Sequence, residues 1–148
     1  MSDTTPLPGT PDLLCFALYS ANNAMHRVYR PLLAPLGLTY PQYLVLVALW
    51  SSDGRSVGSL CDELGLESNT LTPLLKRMET AGLIHRRRDT EDERVVLVHL
   101  AEKGEALRQE AEHVTRCTFA ATGLSLTDLA DLRSRLFALR DQLESGIG

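Results

Sequence analysis

The chain has 148 residues, 44% hydrophobic and 23% charged, the size and make-up of one globular domain with a real core. No apolar run approaches the roughly 20 residues of a membrane span. Met1 to Pro11 holds neither a basic residue nor an apolar stretch, which argues against a secretory leader and for a reducing, cytoplasmic setting. The formal net charge of −4 argues against a generally basic nucleic-acid binder, so such a role must rest on where particular charges point.

Residues 1–11, with three Pro and three Thr, read as a flexible arm. Thr10-Pro11-Asp12 then has the pattern of a helix start: Thr as N-cap, Pro at N1, an acid at N2. The helix is expected to run to about Tyr29, with a kink at Pro31 on the way to Leu36. Cys15 falls near its positive end, where the helix dipole favours a thiolate. Tyr19 follows one turn later on the same face. All four tyrosines (Tyr19, Tyr29, Tyr40, Tyr43) lie in the first third of the chain. Their hydroxyls are suitable donors to a thiolate or a peroxide oxygen; as ordinary core rings with polar tips they read equally well. Thr39 and Pro41 open a second helix, and Ser51-Ser52-Asp53-Gly54 ends it in a turn.

A short helix is expected from about Val57 to Leu64, with Ser56 as N-cap and Gly65 as its stop. Leu71, Leu74, Leu75 and Met78 fall at i, i+3, i+4 and i+7, one apolar stripe of an amphipathic helix ended by Gly82. Its outward side carries Ser68, Asn69, Thr70, Thr72, Lys76 and Arg77, residue types suited to a major groove. Helix, tight turn, helix is a helix-turn-helix. Pro73 is in conflict with a start at Ser68, because Thr72-Pro73 by itself reads as an N-cap and N1 pair. After Gly82 the period changes to two: Leu83–Arg88 and Arg94–Leu100 read as strands around the polar tip Asp89–Glu93. Such a hairpin is a wing, and Arg86, Arg88 and Arg94 are placed to reach phosphates or a minor groove. The window 76–94 holds six Lys/Arg against five acids, so charge alone leaves a solvated face open; the helix-turn-helix in front turns the reading toward DNA.

Glu102 to about Thr122 reads as one long helix, ended by Gly123. In a last helix, Leu129, Leu132, Leu136, Leu139 and Leu143 repeat at 3, 4, 3, 4, a seam for packing within the monomer or between two chains. Cys15, Cys61 and Cys117 are widely spaced, with no Cys/His cluster at ligand spacing, so no metal and no cofactor is expected. Cys61 beside Asp62 and Glu63 reads as structural, Cys117 by itself as a small buried hydrophobe. The four histidines are isolated in sequence.

Gly82-Leu83-Ile84, Asp92-Glu93-Arg94, Val98-His99-Leu100 and Glu102-Lys103-Gly104 together resemble the wing signature of MarR-type winged-helix regulators. Leu71-Thr72-Pro73-Leu74-Leu75-Lys76-Arg77-Met78-Glu79 is similar to the recognition helix of the organic hydroperoxide resistance branch (OhrR). Asp12-Leu13-Leu14-Cys15-Phe16-Ala17-Leu18-Tyr19, then Tyr29, Pro31-Leu32-Leu33 and Leu38-Thr39-Tyr40-Pro41-Gln42-Tyr43, resemble that branch's sensor segment. The resemblance spans about Asp12 to Gly104, with Ala101 standing where the family has a capping Thr. It implies that Cys15 is the peroxidatic thiol, that Tyr29 and Tyr40 hydrogen-bond it from the other subunit, and that Tyr19 lines the same pocket. It also implies a two-Cys member in which Cys117 of the partner chain resolves Cys15, and a recognition helix that starts before Pro73.

The resulting expectation is a mainly α chain with a small β wing: a winged helix-turn-helix over 38–100, with residues 12–36 and 101–145 as helical dimerisation elements of one 148-residue domain. Its function would be that of a homodimeric repressor of a palindromic double-stranded operator, released by an organic hydroperoxide, not an enzyme and not at a membrane. The alternatives are a MarR-type repressor released by a small phenolic or apolar ligand, and, from another class, a thiol peroxidase.

Overall fold

The computed structural model describes residues 6–146. Among them seven α-helices and three short strands follow in order: α1 (Leu14–Leu33), α2 (Tyr40–Ser51), β1 (Arg55–Ser56), α3 (Val57–Leu64), α4 (Ser68–Thr80), β2 (Ile84–Arg88), β3 (Val96–Leu100), α5 (Glu102–Ala106), α6 (Arg108–Thr122) and α7 (Leu126–Ser145). This is the expected mainly α chain with a β wing on a helix-turn-helix. Residues 1–5 of the expected arm lie outside the described residues. The chain divides into two compact units, Met1–Val114 and Thr115–Gly148.

In the first unit, local chemistry sets most of the boundaries. Thr39 caps α2 in a reciprocal capping box with Gln42. Ser56 caps α3 by accepting from the Ser59 amide at 3.0 Å, and Gly65 stops it in the left-handed conformation at φ +66°. Inside α4, Leu71, Leu75 and Met78 are fully buried and Leu74 nearly so. Burial of each such side chain contributes about 1.5–3 kcal/mol. Pro73 lies within this helix, exposed, so the reading that began a helix at Thr72-Pro73 is overturned. The reason is that the first turn closes earlier: the Glu67 carbonyl accepts from both Thr70 and Leu71 at 3.0 Å. The buried stripe then carries the helix past the amide that proline lacks.

Two other boundaries differ from expectation. Thr10 is not the N-cap of α1. Asp12 bonds back to Gly9 through both its amide (3.0 Å) and its carboxylate (3.2 Å), closing a separate 3₁₀ turn over Thr10–Asp12. Leu13 is then extended, and α1 starts at Leu14. The single helix expected from Glu102 to Thr122 is interrupted at Leu107, which closes α5 with ψ at −12°, so α5 and α6 are separate.

The sheet order is β1-β3-β2, all antiparallel. The two-residue β1 is too short to show a period in sequence; it pairs Arg55 with Val98 and Ser56 with Leu97. The junction from the wing into α5 is tight. Leu83 offers its carbonyl to the Ala101 amide at 3.0 Å, and Gly104 lies over the same carbonyl. A Cβ on Gly104 would come within 2.2 Å of that oxygen. The Trp50 indole donates to the Gly104 carbonyl at 3.0 Å, and Lys103 Nζ to the Ala81 carbonyl at 3.2 Å.

In the second unit, Gly123 turns the chain at φ +67° and Ser125 caps α7. Leu129 and Leu139 of the leucine seam are half-buried, whereas Leu132, Leu136 and Leu143 are exposed, with Phe137 beside them.

Gly104→Ala should lower unfolding stability by the upper end of the about 1–3 kcal/mol that overpacking costs, because the atom it meets is backbone and cannot swing away. Urea denaturation of the two proteins checks this; a Gly104→Ala chain as stable as wild type would contradict the packing at Leu83.

Candidate functional site

The outward face of α4 collects the polar residues that the sequence places there. Ser68, Asn69, Thr70, Lys76 and Arg77 are exposed, and Thr72 is half-buried at the edge of a cleft. Because the opposite face is buried, the side chains on this face are held in fixed register along one side of a helix. They include short hydrogen-bonding groups in the first turn and cations in the third, the set that meets base edges and phosphates in a major groove.

The wing carries the remaining cations, and the structure assigns them different surroundings. Arg94 is 91% exposed and held in place by Asp92, whose carboxylate accepts from its Nε at 3.1 Å and Nη2 at 3.2 Å. Asp92 also accepts from the Arg94 amide at 3.1 Å; these hydrogen bonds from the side chain and then the amide of Arg94 hold its carboxyl below the ordinary range. Arg88 donates to the Glu93 carbonyl at 2.8 Å, tying the two arms of the hairpin together. Arg86 is different. Its amide donates to Glu79 Oε2 at 2.7 Å and its Nη2 to Glu79 Oε1 at 3.2 Å. Its Nε is buried without a hydrogen-bond partner, and the side chain lines a cleft with Ser56, Val57, Thr72, Leu75 and Arg94. Sequence reasoning gave Glu79 no part. A carboxylate seven positions before its partner, across a glycine turn, has no spacing signature of its own.

Cys15 is exposed in the first turn of α1, and Tyr19, four residues on, is 65% exposed. Leu14 and Phe16 beside it are also open, so the thiol sits on an apolar surface. Tyr29 and Tyr40 lie elsewhere. Their rings are 5.0 Å apart, with Tyr43 at 5.9 Å from Tyr29 and His26 edge-on to Tyr40 at 4.9 Å. Burial, and then the neighbouring phenols of Tyr29 and Tyr43, push the Tyr40 hydroxyl above its ordinary value, so it remains a protonated donor. Cys15 and Tyr29 are fourteen residues apart on α1, roughly 21 Å at about 1.5 Å per residue. One chain therefore places Tyr19 near Cys15 and keeps Tyr29 and Tyr40 away from it. Cys61 is half-buried against the core, as a structural thiol would be, and Cys117 is half-buried on α6. Among the described residues no group of three His, Cys, Asp or Glu could hold a metal ion, and no single helix is long and apolar enough to cross a membrane.

The Arg86 amide and then its guanidinium hold the Glu79 carboxyl below the ordinary Glu range. A carboxylate depressed in the folded state contributes stability above its unfolded value, and that contribution is lost as pH falls through the folded one. The stability difference between wild type and Glu79→Gln should thus be full at neutral pH and shrink toward zero in acid. Denaturation midpoints measured from neutral pH down into the acid range test this, and a difference that does not depend on pH would contradict the pairing.

The sequence profile of the SarA/Rot transcriptional regulators matches residues 27–111. The organic hydroperoxide resistance transcriptional regulator of Bacillus subtilis (strain 168) is 44% identical over 130 residues, 88% of each chain. The HTH-type transcriptional regulator TtmR of Methylorubrum extorquens (strain PA1) is 44% identical over 135 residues, 91% of this chain and 69% of that one. Among solved structures, AbfR of Staphylococcus epidermidis in its reduced, DNA-bound form superposes with a TM-score of 0.77 at 31% identity, over 91% of this chain and 92% of its own. Disulfide-formed AbfR gives 0.61 at 32% identity, over 90% and 89%. Both of the sequence relatives are named transcriptional regulators. With a buried-stripe recognition helix, an Asp-Arg wing and these relatives, the chain belongs to the SarA/Rot and MarR-type family of winged-helix transcriptional regulators.

Proposed function

We propose that this regulator is a homodimeric repressor that senses organic hydroperoxides at Cys15 and then releases a palindromic operator. The observation that carries the reading is the setting of Cys15: an exposed thiol in the first turn of a 20-residue helix, ringed by apolar side chains and one turn from a phenol. The apolar surroundings suit an alkyl peroxide. Tyr29 and Tyr40 are too far along the same chain to serve that sulfur, so they would act from a second copy. The open face at the start of α1 and the exposed leucines of α7 are the surfaces such a dimer would cover. Two copies would then present two α4 helices to half-sites about one DNA turn, roughly 34 Å, apart.

The chemistry is balanced in two steps. The thiolate attacks the distal peroxide oxygen; the O–O bond breaks, the alkoxide leaves and takes a proton, and the sulfur becomes a sulfenic acid. The thiol of Cys117 from the partner subunit then displaces hydroxide, giving a disulfide and water. Sulfurs in that bond stand about 2 Å apart, so the helices that carry them must move. This reading is supported by a relative named for organic hydroperoxide resistance and by AbfR, solved both reduced on DNA and disulfide-formed. It places the protein in the cytoplasm, with its DNA.

Cys15→Ser should bind operator DNA as wild type does and stay bound after an organic hydroperoxide is added. Release that survives the substitution would favour a ligand-released repressor, and many peroxide turnovers per thiol would favour a peroxidase. In wild type, intact mass under non-reducing conditions should show a Cys15–Cys117 linked dimer after treatment. Arg94→Ala and Lys76→Ala should each weaken operator binding and reduce the salt slope by about one; unchanged affinities for every duplex would sink the DNA reading.

A further inference from the structure

Three features compete for a role beyond this one. The apolar surfaces on α1 and α7 belong to the proposed sensor and dimer. His85 and His99 face each other across β2 and β3, but no third ligand stands near them among the described residues. The third feature is the contact between Glu79 and Arg86, which joins the recognition helix to the wing at two points.

β2 is an edge strand, since the sheet order is β1-β3-β2. The Asp89 amide bonds to the Val95 carbonyl across the hairpin at 2.8 Å, so residues of its parity face β3 and those of Arg86's parity face outward. The Arg86 amide is therefore an open edge donor, of the kind sheets normally leave to solvent or cover. Here Glu79, in the last turn of α4, takes it at 2.7 Å, and the same carboxylate takes the guanidinium of the same residue. One side chain of the recognition helix thus grips a wing residue at two points, backbone and side chain. Two contacts fix an angle where one would fix only a distance. Between Glu79 and Arg86 the chain turns through Gly82 at φ +80°, and Leu83 and Ile84 anchor the root of the wing in the core, so the grip acts on the hairpin beyond that root.

We infer that Glu79 and Arg86 are positioning residues for DNA binding: their two-point contact sets the angle between the recognition helix and the wing, so that major-groove and wing contacts are made together. The inference rests on the DNA-binding reading above. It assigns Arg86 to the protein's own geometry and leaves the phosphate contacts to Lys76, Arg77, Arg88 and Arg94. The cost of losing the brace is the freedom returned to the wing, which must be ordered again on binding.

This has a sign that separates it from simple electrostatics. Glu79 is a negative charge near a polyanion, so removing it should strengthen DNA binding if charge were all that mattered. The brace predicts the reverse. Fluorescence anisotropy with a duplex from upstream of the protein's own gene, enriched by selection with wild type, should show Glu79→Ala weakening binding about tenfold. Glu79→Gln should fall between, because its amide oxygen still accepts from the Arg86 amide. Arg86→Ala keeps its backbone amide on Glu79 and loses only the guanidinium contact, so it should lose less than Glu79→Ala; the double variant should lose no more than Glu79→Ala, and the salt slope should stay within about half a unit of wild type in each. Circular dichroism melts identify a variant that fails to fold, in which case Arg86→Lys, which keeps a cation beside Glu79 as well as the backbone contact, replaces it and should lose less than Arg86→Ala was expected to. Tighter or unchanged binding by Glu79→Ala, or a slope reduced by about one in Arg86→Ala, overturns the inference while leaving the repressor intact. Wild type that binds no duplex overturns both.

Discussion

The packing of the Leu83 carbonyl under Gly104 is the constraint on which the DNA-binding unit depends. That oxygen already accepts the Ala101 amide, and the glycine lets α5 come down on it without a side chain between them. Trp50 and Lys103 then tie the same junction to α2 and to the end of α4. Helix, wing and the following segment therefore meet at one point where backbone touches backbone. A tight core around a short turn transmits displacement instead of absorbing it.

From that junction the reading surface follows by geometry. The buried stripe of α4 turns Ser68, Asn69, Thr70, Lys76 and Arg77 outward. The wing is held from within by Arg88 on Glu93 and Arg94 on Asp92, and from beneath by Glu79 on Arg86. Acids that balance the basic count in this window are thus not a diluting background. Asp92 holds the Arg94 side chain and Glu79 holds both the backbone and the guanidinium of Arg86.

The thiol end obeys a different logic. Cys15 is exposed while the tyrosines proposed to serve it lie four helical turns away in the same chain. A sensor divided in this way works only as a pair of chains, and the proposed redox step is the formation of a bond between them. In the proposed sensor, one chain would supply the nucleophile and association its surroundings.

Periodicity and capping residues determined much of this protein in advance. The 3.6-residue stripe of Leu71, Leu74, Leu75 and Met78, the caps at Thr39 and Ser56, the stops at Gly65 and Gly82, and the change to period two after Gly82 are local effects, each written within a few residues. Tertiary packing decided what sequence spacing does not encode. Pro73 lies inside α4 because burial of the stripe outweighs one missing amide. Thr10–Asp12 is the exception, a local turn in which Asp12 bonds back to Gly9 three residues before it, which an N-cap pattern at Thr10 does not distinguish. β1 exists only because β3 has an open side to pair with. Glu79 and Arg86 meet, and Gly104 is required, because a glycine turn and a crossing helix bring distant backbone together, and no repeat along the chain records a contact made across space.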